Sequence, residues 1–266
     1  MQVSAKVIYV YAIGRQPGFA VPPNIDAVDG ISSFEIASGS GLDALYSEVD
    51  ADMFSQEEID RRSQDLNWLG SIGYRHERAV AALAERTTIV PLRDFTLFST
   101  RGKLEEFLKT NVESLRAILG KLEGREEWTI RVELDAAEWE KAIVQRVGSL
   151  RALSEQISHT SPGRAYLLTK KLEDGKKSAA REAELELVSE IEGEIRKVLE
   201  APMVSEGRQK KAGSFPQINI LLPRERSGDL DKLHRELTAR YREEGVNLVL
   251  TGPWPPYTFA SGASDG

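Results

Sequence analysis

Apolar and polar positions alternate or cluster along this chain in ways that fix most of its elements. The run AKVIYVYAI, ending at Gly14, is β-branched and aromatic and predicts a first strand. A loop follows, punctuated by Pro17, Gly18, Pro22, Pro23 and Gly30. ISSFEIAS alternates and predicts a second strand; LDALYSEVD predicts a third, with Gly39–Gly41 as the turn between them. Ser55 followed by Glu58 fits a capping box, so SQEEIDRRSQDLNWLG reads as one helix and GYRHERAVAALAERT as the next. TIVPLRDFTLFST is apolar but broken at Pro91, which predicts short strands with a bend. From Lys103 to Gly120, Leu104, Phe107, Leu108, Val112, Leu115, Ile118 and Leu119 form an i, i+3, i+4 stripe, hence an amphipathic helix ended by the glycine.

A second cycle begins at about residue 125. The strand from Trp128 to Leu134 leads into the helix AAEWEKAIVQRVGSLRALSEQ. A long polar-rich helix then runs from Arg164 to about Pro202, with Leu187, Val188, Ile191, Ile195, Val198 and Leu199 as an apolar stripe. Its middle, KKLEDGKKSAAREAE, is almost wholly polar, and such a helix is expected to project from the body or to pair with another helix at its ends. A weak strand near VSEGRQKK, a strong one at QINILLP, the helix GDLDKLHRELTARYREEG and the strand VNLVLTGP complete the chain. The order β-α-α-β-β-α-β is that of a ferredoxin-like sandwich with an enlarged first crossover. The fold class read here is α+β in two domains, 1–124 and 125–266, the second a modified ferredoxin-like sandwich with a long extra helix and a C-terminal tail. That tail, GPWPPYTF, is stiffened by Pro253, Pro255 and Pro256, and its rings are expected to dock on the C-terminal sheet.

Composition narrows function by exclusion. In 266 residues, 41% are hydrophobic and 29% charged, which is globular rather than disordered. A net charge of −7 argues against nucleic acid as a partner. The absence of cysteine removes disulfides, thiolate nucleophiles and cysteine-based metal centres, and suits a cytoplasmic protein. No apolar run is long enough to span a bilayer, and the short Val7–Ile13 run lacks the flanks of a signal peptide.

Motifs for catalysis fail one by one. RHERAV starts like a zinc-protease helix, but Val80 stands where the second histidine is required, and His76 reads as an ordinary helix-face or surface histidine. DGKKS lacks the first glycine and preceding strand of a phosphate-binding loop, and SGSGLD lacks the third glycine of a dinucleotide fingerprint. Most carboxylates lie beside Lys or Arg on solvated helix faces. The reading is therefore of a protein that is not an enzyme, with no cofactor and no metal. Two segments carry unusual chemistry for core: VPLRDFTLF, with Arg93 and Phe95 among β-formers, and the tail, with Trp254 and Tyr257.

Taken in order, YVYAI, GLDALYSEV, RHERAVAAL with TTIVPLRDFTLF, EWTIRVELD and VNLVLTGPWPPYTFA resemble the F/L family of gas vesicle accessory proteins over nearly the whole chain. One passage departs: where the family tends to carry a glycine-containing turn of RFGT type, this chain has RDFT. The resemblance implies a cytoplasmic, gas-vesicle-associated protein that binds the hydrophobic shell subunit and other accessory proteins and assists vesicle assembly, without catalysis or cofactor. The candidate contact residues are Arg93, Phe95, Trp254 and Tyr257, with Leu187, Ile191 and Ile195 as a second surface. The rival reading is a small-molecule enzyme or sensor using a cleft between the two domains.

Overall fold

A computed structural model describes residues 5–206 and 216–260. It mixes helix with antiparallel sheet and separates into two compact units: the described residues up to Glu127 together with those from Pro253 onward, and Trp128–Gly252.

In the first unit, β1 (Lys6–Arg15) is central to a sheet in which β2 (Phe34–Gly39) pairs with β3 (Leu42–Asp50) and β3 with β1. Two short strands, β4 (Ile89–Pro91) and β5 (Leu97–Phe98), line up antiparallel against β1, at Ala12–Gly14 and at Ile8–Tyr9. The β1–β3 register slips between Val10 and Ala12, and this bulge lets Ala12 join Tyr9 and Tyr11 in one cluster. Over that cluster lies α2 (Leu66–Ala84), burying Ile72, His76, Ala79, Val80 and Leu83. Helices α3 (Arg101–Thr110) and α4 (Val112–Leu122) pack on the strands through Leu104, Leu108, Leu115 and Leu119.

Two expected helices are each split. The expected helix from Ser55 to Gly70 ends as α1 (Gln56–Arg62), and α2 begins early because the Asp65 carboxylate accepts from the N–H groups of Asn67 and Trp68. The expected helix from Lys103 to Gly120 breaks at Asn111, whose side-chain amide donates to the Phe107 carbonyl. Neither break disturbs apolar spacing, which is why periodicity misses them. Gly120 does not end α4, which continues to Leu122 before Gly124 at φ +68°.

In the second unit the sheet order is β7 (Met203–Glu206), β8 (Gln217–Pro223), β6 (Arg125–Leu134), β9 (Val246–Trp254). Ile130, Val132, Ile218, Ile220, Leu222, Val246 and Leu248 join one buried cluster with α5 (Ala136–Arg146), α6 (Gly148–Ser158), α7 (Pro162–Leu199) and α8 (Ser227–Tyr241). The single helix expected over α5 and α6 breaks at Val147, which is extended at ψ 108°. At 38 residues α7 is about 57 Å long. It ends at Glu200 in the left-handed region, where the Arg226 guanidinium donates to the carbonyls of Val198 and Leu199. Its polar middle does not stand clear: Leu172, Ala179, Ala180 and Ala183 pack into the core, and Gly175 admits Leu150 of α6 so closely that a Cβ there would lie 2.6 Å from Leu150 Cδ2. Small residues, not long apolar ones, make that contact, so a hydropathy stripe does not show it. Only the start of the expected strand VSEGRQKK forms β7; residues 207–211 lie outside the described residues.

Candidate functional site

The β4–β5 connection and the tail meet on one face of the first unit. Between the strands, Thr96 donates from both its N–H (3.2 Å) and its hydroxyl (2.7 Å) to the Arg93 carbonyl, closing a turn over Asp94 and Phe95. Phe95 sits at φ +62°, the conformation that favours glycine at the third position of such a turn. This is the place where the RFGT pattern would put its glycine and RDFT puts an aromatic. The ring is held by stacking on Trp68 (centroids 5.6 Å apart, planes at 30°) and by an edge contact to Tyr9. The Arg62 guanidinium lies 5.5 Å from the Trp68 ring centroid.

Beneath the turn is a polar network in an aromatic core. His76 is 2% exposed. Its Nε2 lies 2.9 Å from the Leu92 carbonyl, an acceptor, so the proton is on Nε2 and Nδ1 accepts from the Tyr9 hydroxyl at 3.0 Å. Tyr9 in turn accepts from the Phe95 N–H at 3.3 Å. Burial lowers the His76 pKa below its ordinary value, opposed by Asp94, whose Oδ1 is 3.6 Å from Nδ1. Burial also raises the Tyr9 hydroxyl well above the usual phenol range. Tyr11 repeats the arrangement: its hydroxyl donates to Ser47 and accepts from the Val28 N–H, and burial pushes it up to about 12. At the next residue of α2, the half-buried Glu77 carboxylate accepts from the Tyr257 hydroxyl at 3.0 Å, and burial raises its pKa.

The tail therefore docks on the first unit, not on the C-terminal sheet as expected. Strand β9 runs past Pro253 to Trp254 at the edge of its sheet, where a missing donor is tolerated, and α9 (Tyr257–Ala260) is a single turn. Besides Tyr257, Thr258 donates to Glu127 from its N–H (3.0 Å) and hydroxyl (2.6 Å), and Phe259 is buried under the Lys121 ammonium. The docking surface is polar at its anchor points, and Glu77 and Glu127 look like ordinary strand and helix carboxylates in the sequence.

Of the residues singled out from the sequence, Phe95 and Tyr257 pack against the same aromatic cluster. Arg93 is exposed in the turn beside them, and Trp254 is 46% exposed. Leu187, Ile191 and Ile195 are each 0% exposed, locked into the core of the second unit by α8 and the sheet, so they are packing residues and not a second contact surface. His76, read as a helix-face or surface histidine, lies on the buried face of α2 and not at the surface. Its signal was present: Ile72, His76, Ala79, Val80 and Leu83 fall on one helical stripe. Trp68, Tyr9 and Glu77 were also missed. Both nitrogens of His76 are occupied, so the cluster braces the turn. Among the described residues no group of three or more metal-ligating side chains is set to hold an ion, and no helix is long and apolar enough to cross a membrane.

A family model described as "Gas vesicle synthesis protein GvpL/GvpF" matches residues 7–261. The chain belongs to this family. Gas vesicle protein L of Streptomyces sp. (strain CB03234) is 26% identical over 262 residues, covering 97% of this chain and 94% of the relative. Gas vesicle protein L1 of Halobacterium salinarum is 25% identical over 235 residues, covering 85% and 80%. The crystal structure of GvpF from Anabaena sp. PCC7120 superposes with a TM-score of 0.66 at 17% identity, over 96% of both chains. That of GvpF from Microcystis aeruginosa superposes at 0.63 with 15% identity, over 97% of this chain and all of the other. Membership of the GvpL/GvpF family supports a gas-vesicle-related role, and these relatives are named as gas vesicle proteins.

Proposed function

We propose that this chain is a non-enzymatic accessory or minor structural protein of gas vesicle assembly that binds the hydrophobic shell subunit and other accessory proteins, in the cytoplasm and at the vesicle. The observation that carries the reading is the face of the first unit where Arg93, Phe95, Trp68 and the docked Tyr257 converge. It combines half-exposed aromatics with an arginine, the composition of contact hot spots. Its polar groups are spent on one another, which suits a rigid contact surface better than turnover. An apolar shell subunit needs covering before it is incorporated, and a partner of net charge −7 keeps such a complex dispersed.

We read the two units as domains, the second as a modified ferredoxin-like sandwich. Counting β6, β7, β8 and β9 as strands one to four, the order β7-β8-β6-β9 reads 2-3-1-4, the βαββαβ order with α5 to α7 filling the first crossover. The test of function is co-expression with the shell subunit. Co-purification is expected, and so is a fall in vesicle yield on deletion of this gene. No association together with normal vesicles in the deletion strain would overturn the proposal.

A further inference from the structure

The geometry points to the solvent face of α2 as a docking surface for an acidic amphipathic helix of a second protein. This inference rests on the assembly reading above for the partner's context, but its evidence is separate. Leu66, Gly70, Tyr74 and Arg78 succeed one another at i, i+4 spacing and form one exposed ridge. Leu66 is 80% exposed and Tyr74 64%, unusual for large apolar side chains on a folded helix. Nothing lies within 4 Å of where a Cβ on Gly70 would be, so the ridge has a notch at which a second backbone can approach closely.

Charge decides what kind of helix fits. Arg78 lies over the Tyr74 ring at 5.8 Å, and neither it nor Arg75 forms an ion pair among the described residues. Arg75 lies beside Gly30, at φ +79°, where a Cβ would be 3.3 Å from the guanidinium. Beside the ridge, Ile25, Asp26, Ser71, Tyr74, Arg75 and Arg78 line a recess of about 200 Å³, large enough for one side chain. Asp26 is the one carboxylate in that lining, while Glu77 and Asp94 lie on the flank toward Tyr257. On a protein of net charge −7 this is a locally cationic, aromatic and open strip. It is complementary to a helix that sets a glutamate or aspartate among apolar residues, with the guanidinium fork gripping the carboxylate and Tyr74 packing on the apolar part.

The test uses the full chain in a cell that expresses the complete vesicle gene cluster, with a photo-crosslinking benzoylphenylalanine at position 74. One adduct is expected, mapping by mass spectrometry to an acidic amphipathic helix. Arg75→Glu with Arg78→Glu should lower its yield about tenfold or more, and exchange of the mapped carboxylate for lysine should restore it. Arg78 is exposed and Arg75 half-buried, and neither has an ion pair to lose among the described residues, so the variant should melt within a few degrees of the parent. Scattered adducts, an adduct between two copies of this chain, or a yield indifferent to charge reversal would overturn the surface. If that happens while the shell subunit still co-purifies, the assembly reading stands alone; an acidic helix from a protein unconnected with vesicles would leave the surface standing and overturn that reading.

Discussion

The two units are held together by different chemistry. The core of the second is almost entirely aliphatic: leucine, isoleucine and valine from one sheet face and four helices, with Trp139 and Tyr241 at its margin. The first has leucines from α3 and α4 against its strands, but under α2 its core is built round Tyr9, Tyr11, Phe54 and His76, with Phe34, Trp68, Phe95 and Tyr257 packed against it. Tyr9, Tyr11 and Tyr46 are each 0% exposed, and each hydroxyl has a partner. An aliphatic core tolerates small shifts and is stabilised by area; a core of buried hydroxyls and imidazole is directional, and fails when one member is removed. Of the contact candidates read from the sequence, Phe95 and Tyr257 pack on the directional core and Arg93 is exposed in the turn beside them. Rigid placement of surface groups is what such a core provides, whereas the long α7 acts as internal scaffold.

The largest effect expected from this contrast is in the second unit. Ile191→Ala removes a fully buried side chain from α7 and should cost about 2–5 kcal/mol, with the higher end if the surrounding leucines do not collapse. Native-state hydrogen exchange on peptides from α7 and β8 should show the loss, while those from β1 and α2 keep their protection. A contact stripe on a projecting helix would instead leave α7 protection unchanged and lose a partner.

Next in size is Tyr9→Phe. The ring stays, but the buried His76 Nδ1 and the half-buried Phe95 N–H both lose their partner, at a cost of about 1–3 kcal/mol. Here the loss should appear in β1 and α2 and spare α7, the mirror image of the first variant. Were Tyr9→Phe silent, the hydroxyl network would be incidental and the distinction between the two cores would fall.

The sequence disclosed these elements unevenly, for physical reasons. Strands β1, β3 and β8 were legible as apolar runs buried on both faces, and β9 and helix α7 because burial of one face imposes a period that survives in hydropathy. Breaks at Ser63, Asn111 and Val147 were not, since a polar cap or one extended residue leaves the period intact. The α6–α7 contact was hidden because it uses Gly175 and alanines. Of the site, Phe95 and Tyr257 were found as oddities among β-formers and prolines, but their supports were not. Glu77 and Glu127 gain their meaning from Tyr257 and Thr258, 180 and 131 residues away. An apolar stripe looks the same whether it faces a partner or the chain's own sheet, which is how Leu187, Ile191 and Ile195 came to be read as surface.

The smallest effect, and the one that most sharpens the comparison, belongs to Phe95→Gly. Two terms oppose. A glycine at φ +62° relieves left-handed strain of about 1–2 kcal/mol. It also gives up the Trp68 stack, about 0.5–1.5 kcal/mol, and adds backbone freedom to the unfolded chain, about 0.5–1 kcal/mol. On these terms the net change in unfolding free energy should lie between a gain of about 1 and a loss of about 1.5 kcal/mol. Binding should not be so forgiving, because the variant removes the exposed edge of the aromatic row while Tyr9 and His76 keep their bond. A near-silent melt with loss of shell-subunit co-purification would assign Phe95 to contact, and the strain at that turn to holding the ring outward. A loss of more than about 2 kcal/mol would instead make the ring part of the directional core, and the contact surface would have to be sought in Arg93 and Trp254.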